Sequence, residues 1–345
     1  MKLLRQALVL LGLLLLVGFI FTIDLQEFRS FLQTFSWIRL SELLALTIGL
    51  TLINLVLKAW RWKYLVECVT GTSIKLSFAF NSILGGVAAS SFIPGRIEFA
   101  KPLLLKLEHS TPLEKSFAAL IVERALDLLT LLLIPAVTAL FFPFHLLASF
   151  SVIHLAIVTI AVIVLLVLIV AFPALFSRPL QGICSILPLK QSWRDRLSHF
   201  LNQVLQSFQI FRSRKSLLLL LFLSLIANAL EVLRFFTILH FFNLTSSFAS
   251  ASFIFTSSLL LGIISTIPGG LGVAEVSASA MLNLLRPGQD AVVKSAVLLE
   301  RTISYYLLII WGALVLVFLK KSSPIRTAPN SQSTPFSQNR NTSTK

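Results

Sequence analysis

Ile267-Pro268-Gly269-Gly270-Leu271-Gly272-Val273-Ala274-Glu275 interrupts an apolar block that runs over residues 249–285, and Ile93-Pro94-Gly95-Arg96-Ile97-Glu98 interrupts another over 77–107. Glu275 is followed 25 positions later by Glu300-Arg301, and Glu98 is followed 25 positions later by Glu123-Arg124. Upstream, Arg234 stands 34 residues before Pro268 and Arg61 stands 33 before Pro94. The chain thus states one pattern twice. A repeat of charged residues and broken helices within apolar surroundings is the sequence mark of a midplane site in membrane transport proteins.

Composition sets the solvent. Hydrophobic residues make up 56% of the 345 and charged residues only 12%, where a soluble domain carries about 25% charged. Mean hydropathy is +0.90. Several apolar runs approach the roughly 20 residues that cross a ~30 Å hydrocarbon core as helix. These runs are continuous in Leu, Ile, Val and Phe rather than alternating, which excludes a membrane β-barrel. Cys68 and Cys184 have no partnered spacing and the five histidines are scattered, so neither a disulfide framework, a metal site nor a cofactor is expected. No catalytic motif is present, and the chain is not expected to be an enzyme.

The fold class read from this pattern is an all-α polytopic membrane protein. Six full spans are expected at about 7–23, 40–57, 116–141, 149–172, 217–242 and 295–319, plus two Pro-Gly-broken re-entrant hairpins at 77–107 and 249–285. Lys2 and Arg5 before the first apolar stretch resemble a signal peptide, but no small-x-small cleavage site follows, so an uncleaved span is expected. Residues 1–321 read as one integral membrane domain and 322–345 as a disordered, polar cytosolic tail. Within 174–215, Trp193, Leu197, Phe200, Leu201, Val204, Leu205 and Phe208 recur at helical spacing and predict an amphipathic helix on the inner leaflet.

Basic residues orient the spans. With the N-terminus inside, 22 of the 29 Lys and Arg fall in cytoplasmic segments, four (Arg29, Arg39, Arg286, Lys294) fall outside, and Arg124, Arg234 and Arg301 fall within spans. Both termini are then cytoplasmic, in a plasma (inner) membrane. The net charge of +15 reads as topology and attraction to anionic lipid heads, with no nucleic-acid partner. In this orientation the repeat units, about 40–141 and 217–319, are inverted, with one hairpin at each face.

A charge near the bilayer centre costs about 2.5–3.5 kcal/mol on insertion scales unless it is paired or hydrated. Glu123, Arg124, Asp127, Glu231, Arg234, Glu275, Glu300 and Arg301 therefore form a constellation, joined by Glu98 and Arg96 at the first break. Adjacent helical residues point about 100° apart, so neither Glu-Arg dipeptide is expected to bridge within itself; Arg124 and Asp127 are suited to pair at i,i+3. In the second unit Ser304 stands where the first has Asp127, which reads as a net acidic triad against a neutral pair. Two readings of the pairs stay open. In one, Arg124 and Arg301 hold a phosphate or carboxylate head while Glu123, Glu300, Glu98 and Glu275 gate access; in the other, each Glu neutralises an Arg of the opposite unit and ties down a hairpin end. Arg61, among Trp60, Trp62 and Tyr64, reads as an interfacial anchor. Arg96, Lys101 and Lys106 either gather anionic heads at the inner leaflet or are plain positive-inside residues, the commoner case. Pro94, Gly95, Pro268, Gly269, Gly270 and Gly272 free backbone amides at the hairpin tips, either to approach an anion or only to turn tightly.

Trp60-Arg61-Trp62, Ser91-Phe92-Ile93-Pro94-Gly95-Arg96-Ile97-Glu98, Glu123-Arg124-Ala125-Leu126-Asp127, Ile267 to Glu275, and Glu300-Arg301 together resemble the membrane domain of the lysylphosphatidylglycerol synthase/flippase family, also called the flippase-like or UPF0104 group. The resemblance covers roughly residues 7–320. It implies an integral membrane domain that moves aminoacylated phospholipid or isoprenoid-linked lipid between leaflets. Full-length relatives add a cytosolic aminoacyl-transferase domain, which this chain, ending in a polar tail, is not expected to carry. The expected function is translocation of a polar-headed, anionic or phosphate-bearing lipid. The alternatives are transport of a small solute or ion, a membrane-embedded lipid-modifying enzyme, and a scaffold acting through the 174–215 segment.

Overall fold

The computed structural model describes residues 2–24, 36–91, 98–141, 191–207, 213–244 and 247–322, with isolated positions between 26 and 33 and between 157 and 164. The first Pro-Gly break with Pro94, Gly95 and Arg96, the expected span 149–172 and the tail from 323 lie outside the described residues. Every regular element described is helical: α1 (Lys2–Phe21), α2 (Trp37–Thr70), α3 (Leu76–Ser90), α4 (Ala100–His109), α5 (Leu113–Thr138), α6 (Gln191–Ser207), α7 (Arg214–Phe241), α8 (Phe248–Ile264), α9 (Val273–Leu285), α10 (Asp290–Arg301) and α11 (Leu307–Ser322). A π-helical turn, Thr302–Tyr306, joins α10 to α11.

Three of these are long and apolar enough to cross a membrane: Trp37–Thr70, Arg214–Phe241 and Asp290–Phe318. The protein is membrane-embedded and all-helical over the described residues. Large apolar side chains face outward at helical spacing, including Leu218, Phe222 and Leu225 on α7 and Ile310, Leu314 and Val317 on α11. In water such stripes would be a liability; against lipid they are the stable surface.

α2 departs from its expected bounds of 40–57. Ser36 caps its start by accepting the Arg39 N–H at 3.4 Å, and it runs 34 residues to Gly71, whose φ of 72° ends it. No Pro or Gly lies between Lys58 and Thr70, so nothing stops the helix earlier. At 1.5 Å per residue it is about 50 Å long, and the Trp-Arg-Trp segment rides inside it. Trp62 and Arg61 are buried while Trp60 is exposed. The anchor reading of Arg61 is therefore wrong.

The second break is a built turn. α8 stops at Ser265, a 3-10 turn follows over Pro268–Gly270, and α9 starts after Gly272. Gly269 has φ +67°, and a Cβ there would collide with the Tyr305 hydroxyl. The arms flanking the two breaks are short: 15 and 10 residues for α3 and α4, 17 and 13 for α8 and α9. Each is below the crossing length of about 20, and each arm packs on its partner.

Packing between the two halves is reciprocal. α5 lies against α8, α11 lies against α3, and α2 lies against α7, so the closing helix of each half covers the first hairpin arm of the other. Thr51, Lys58 and Arg61 on α2 meet Arg234, Glu231 and Ser224 on α7 respectively. The partners run in opposite order, so α2 and α7 are antiparallel. The α3–α11 crossing is so close that a Cβ on Gly312 would strike the Leu84 carbonyl oxygen, the small-residue contact on which helices in lipid rely. One apolar core gathers around Trp62, Ile83, Leu105 and Leu120, with Val315 and Leu316 of α11 packed on it, and another around Phe235, Ile254, Leu282 and Val293, which takes in Leu131 and Leu132 of α5. α6 forms where the amphipathic pattern predicts, with Val204 in a buried cluster beside α5, Phe200 packed against it, Leu205 also buried and Trp193 exposed.

Candidate functional site

Twelve charged side chains from both halves gather on one cavity of about 360 Å³ and its backing. In the first half Arg61 reaches Glu123 at 3.1 Å and Asp127 at 2.6 Å. Arg124 reaches Glu98 at 3.0 Å and Asp127 at 3.3 Å, the latter as its i,i+3 spacing predicts. Lys101 joins them, 2.5 Å from Glu98 and 3.0 Å from Glu123. In the second half Arg234 meets Glu300 at 2.8 Å, and Arg301 faces Glu275 at 3.5 Å. The Tyr306 hydroxyl donates to Glu275 at 3.0 Å.

The same positions pair in both halves. Arg61 with Glu123 corresponds to Arg234 with Glu300, and Glu98 with Arg124 corresponds to Glu275 with Arg301. The neutralising pairs therefore form within each half; the reading in which each Glu serves an Arg of the opposite unit is overturned. Between the halves the links are different. Arg61 donates to Ser224 at 2.8 Å, and Arg234 donates to Thr51 at 3.3 Å. Thr51 and Ser224 each stand ten residues before their own half's arginine. Lys58 and Glu231, each three residues before that arginine, pair with one another at 2.5 Å. Asn54 also donates to Glu231, at 3.0 Å.

Three further expectations change. Lys101 is 1% exposed; it is a member of the network, and with Arg61 it makes the first half neutral rather than net acidic. The Glu-Arg dipeptides do approach internally, at 3.8 Å for Glu123-Arg124 and 3.9 Å for Glu300-Arg301, because a long guanidinium can fold back across the 100° between neighbours. The glycines of the second break do not line the cavity. Gly272 instead abuts Leu15 of α1, so there the tight-turn reading holds over the anion-approach reading.

Sequence reading brought Glu98, Glu123, Arg124, Asp127, Glu231, Arg234, Glu275, Glu300 and Arg301 to notice, and the fold brings all nine together. It misread Lys101 and missed Thr51, Asn54, Lys58 and the two tyrosines. The equal offsets of Thr51 and Ser224, and of Lys58 and Glu231, from Arg61 and Arg234 were the available signal.

The lining is chemically divided by element. α2, α5 and α7 bring most of its charges, whereas α8 contributes Phe255, Leu259 and Ile263 with no polar group. Leu128, one turn beyond Arg124, lines the cavity and is 40% exposed. No group of His, Cys, Asp and Glu able to hold a metal ion occurs among the described residues. The arrangement is one of fixed opposite charges beside an apolar wall, suited to binding an amphiphile by its head.

Two archaeal membrane proteins are similar to this chain. One, described as a UPF0104 membrane protein of Methanothermobacter thermautotrophicus, is 30% identical over 121 residues, covering 35% of this chain and 36% of the relative's length. The other, UPF0104 membrane protein MJ1595 of Methanocaldococcus jannaschii, is 21% identical over 286 residues, covering 78% of this chain and 82% of the relative. The family model described as the lysylphosphatidylglycerol synthase TM region matches residues 9–312. That stretch holds both breaks, both Glu-Arg pairs and the whole charge network, and the chain belongs to that family.

Proposed function

We propose that this protein moves a polar-headed lipid between the leaflets of a membrane. One observation carries the reading: a single cavity combines buried cations with the apolar residues of α8 and the exposed Leu128. A solute carrier needs only the first of these. A lipid needs both, since its head must leave water while its tails stay in hydrocarbon. The cations of the network hold the head, among them Arg124 and Arg301, and the acids that pair with them release and recapture those arginines as the head passes.

Inversion of the two halves completes the proposal. It is supported by the antiparallel pairing of α2 with α7 and by the reciprocal packing of α5 on α8 and α11 on α3. Short arms in both hairpins favour re-entrant segments over full crossings. Lys58, Arg61 and Lys101 belong to the network, so they leave the count of cytoplasmic basic residues; nineteen against four still puts both termini in the cytoplasm. Alternating exposure of one central site then follows the logic of inverted-repeat transporters. We also take the protein to be a carrier rather than an enzyme.

Purified protein in liposomes, followed with labelled lipid, is the direct test. Wild type is expected to move lipid between leaflets faster than protein-free vesicles. Arg124→Ala and Arg301→Ala are each expected to slow it at least tenfold. Should both variants fold and translocate like wild type, the charge network is structural and the head-group assignment fails; should wild type move lipid no faster than protein-free vesicles, the proposal itself fails.

A further inference from the structure

The two halves present their charges to the cavity unequally. In the first half Arg61, Lys101 and Arg124 line it together with their own acids Glu98, Glu123 and Asp127. In the second half Arg234 and Arg301 line it, while their acids Glu300 and Glu275 are not among the lining residues. Lys58 and Glu231 line it as a pair. The second-half arginines thus turn to the cavity with their acids behind them, at 2.8 Å for Arg234–Glu300 and 3.5 Å for Arg301–Glu275, whereas the first-half cations share the wall with theirs.

Unspent donors lie on both sides: the Nε atoms of Arg61, Arg124 and Arg234 are each buried without a hydrogen-bond partner. The second half adds the Ser304 hydroxyl, also unpartnered. Arg234 is 2% exposed, and a buried unmet donor costs roughly 1–3 kcal/mol. Arg301 meets its acids only through long Nε contacts of 3.5 and 3.9 Å. Ser304 sits inside the π-helical turn directly after Arg301, a distortion that recurs at functional sites. Its counterpart in the first half is Asp127, whose carboxylate is already taken by Arg61 and Arg124. A phosphate placed in the first half would meet that carboxylate; one placed in the second would meet a hydroxyl.

We propose that Arg234, Arg301 and Ser304 form a seat for a phosphate group, and that two guanidinium groups turned to the cavity beside an unbonded hydroxyl favour a phosphomonoester head. The proposal rests on the lipid-translocation reading for the phosphate's source. Two guanidinium groups match a dianion, and the hydroxyl supplies a third donor to its oxygens. A cationic aminoacyl head would bring its ammonium up to two arginines whose acids lie on their far side. A phosphodiester head, with one charge and one free oxygen fewer, would meet these donors less fully.

The test uses full-length protein in phosphatidylcholine liposomes carrying a trace of labelled phosphatidic acid, phosphatidylglycerol or lysylphosphatidylglycerol. Phosphatidic acid is expected to cross at least tenfold faster than either other lipid. Because Arg234→Gln strands Glu300 in the interior, the variant to use is Arg234→Gln with Glu300→Gln, which removes both charges; Ser304→Ala breaks no bond at all. The double variant is expected to abolish the preference for phosphatidic acid, and Ser304→Ala to reduce it about threefold, with elution and melting unchanged. Equal rates for all three lipids, or a preference that survives the double variant, overturn the seat while leaving lipid translocation standing. If no lipid moves but radiolabelled inorganic phosphate enters the vesicles and the double variant blocks it, the seat is upheld and the lipid reading is lost. If neither moves, both fall.

Discussion

Arg61 places its guanidinium between Glu123 and Asp127 with 2% of its side chain exposed, while Lys58, one turn earlier on the same helix, pairs with Glu231 and stays 31% exposed. Removing one partner of a fully buried pair leaves an uncompensated charge, which costs roughly 3–5 kcal/mol. Arg61→Gln is expected to lower stability by about that amount in a detergent unfolding titration, and Lys58→Gln by much less. Equal losses would show that burial does not set the hierarchy. Arg61 also marks where sequence reading stops. Its neighbours Trp60 and Trp62 made an interfacial anchor the natural reading, because local sequence does not say that α2 continues to Gly71 or that α5 brings two carboxylates to meet it. Lys101 was misread for the same reason: its partner Glu123 lies 22 residues away on another helix.

At the scale of elements, helix contacts depend on a few small residues and one antiparallel pairing. Gly312 lets α11 cross α3 at the Leu84 carbonyl. Gly312→Leu is expected to force the helices apart, with a cost of at least the 1–3 kcal/mol typical of overpacking and a lower melting temperature in detergent. Unchanged melting would mean that α11 does not lie on α3. Lys58 and Glu231 occupy equivalent positions and bond to each other, so exchanging them should preserve the contact. Lys58→Glu and Glu231→Lys are each expected to destabilise by putting like charges together, and the double exchange to recover most of the loss. A double variant as weak as the worse single one would separate α2 from α7. The existence of these helices was readable from hydrophobic runs. Their lengths were not readable in the same way, since a helix carries on through Trp, Arg and Lys wherever no glycine or proline stops it.

At the scale of the whole molecule, the proposed inversion puts the α4–α5 turn and the α9–α10 turn on opposite sides of the membrane. Glu108 and Gln289 are exposed in those regions. With Cys68 and Cys184 replaced by Ser, Glu108→Cys is expected to react with an impermeant thiol reagent only in inside-out vesicles, and Gln289→Cys only in right-side-out ones. Labelling of both from one side would refute the inversion. A single long-range feature would then fall together with the alternating access built on it.

The sequence by itself determined the solvent, the helical class and nine of the charged residues at the centre. It could do so because each of these rests on composition or on spacing along one chain, and because charge in a lipid-facing stretch is too costly to be incidental. Only the tertiary structure decided which charges neutralise which. It paired them within each half, linked the halves through Thr51, Ser224, Lys58 and Glu231, and left Arg234 and Arg301 facing the cavity with their acids behind them. Pairing energy depends on distance and burial, which arise only when helices far apart in the chain are packed together.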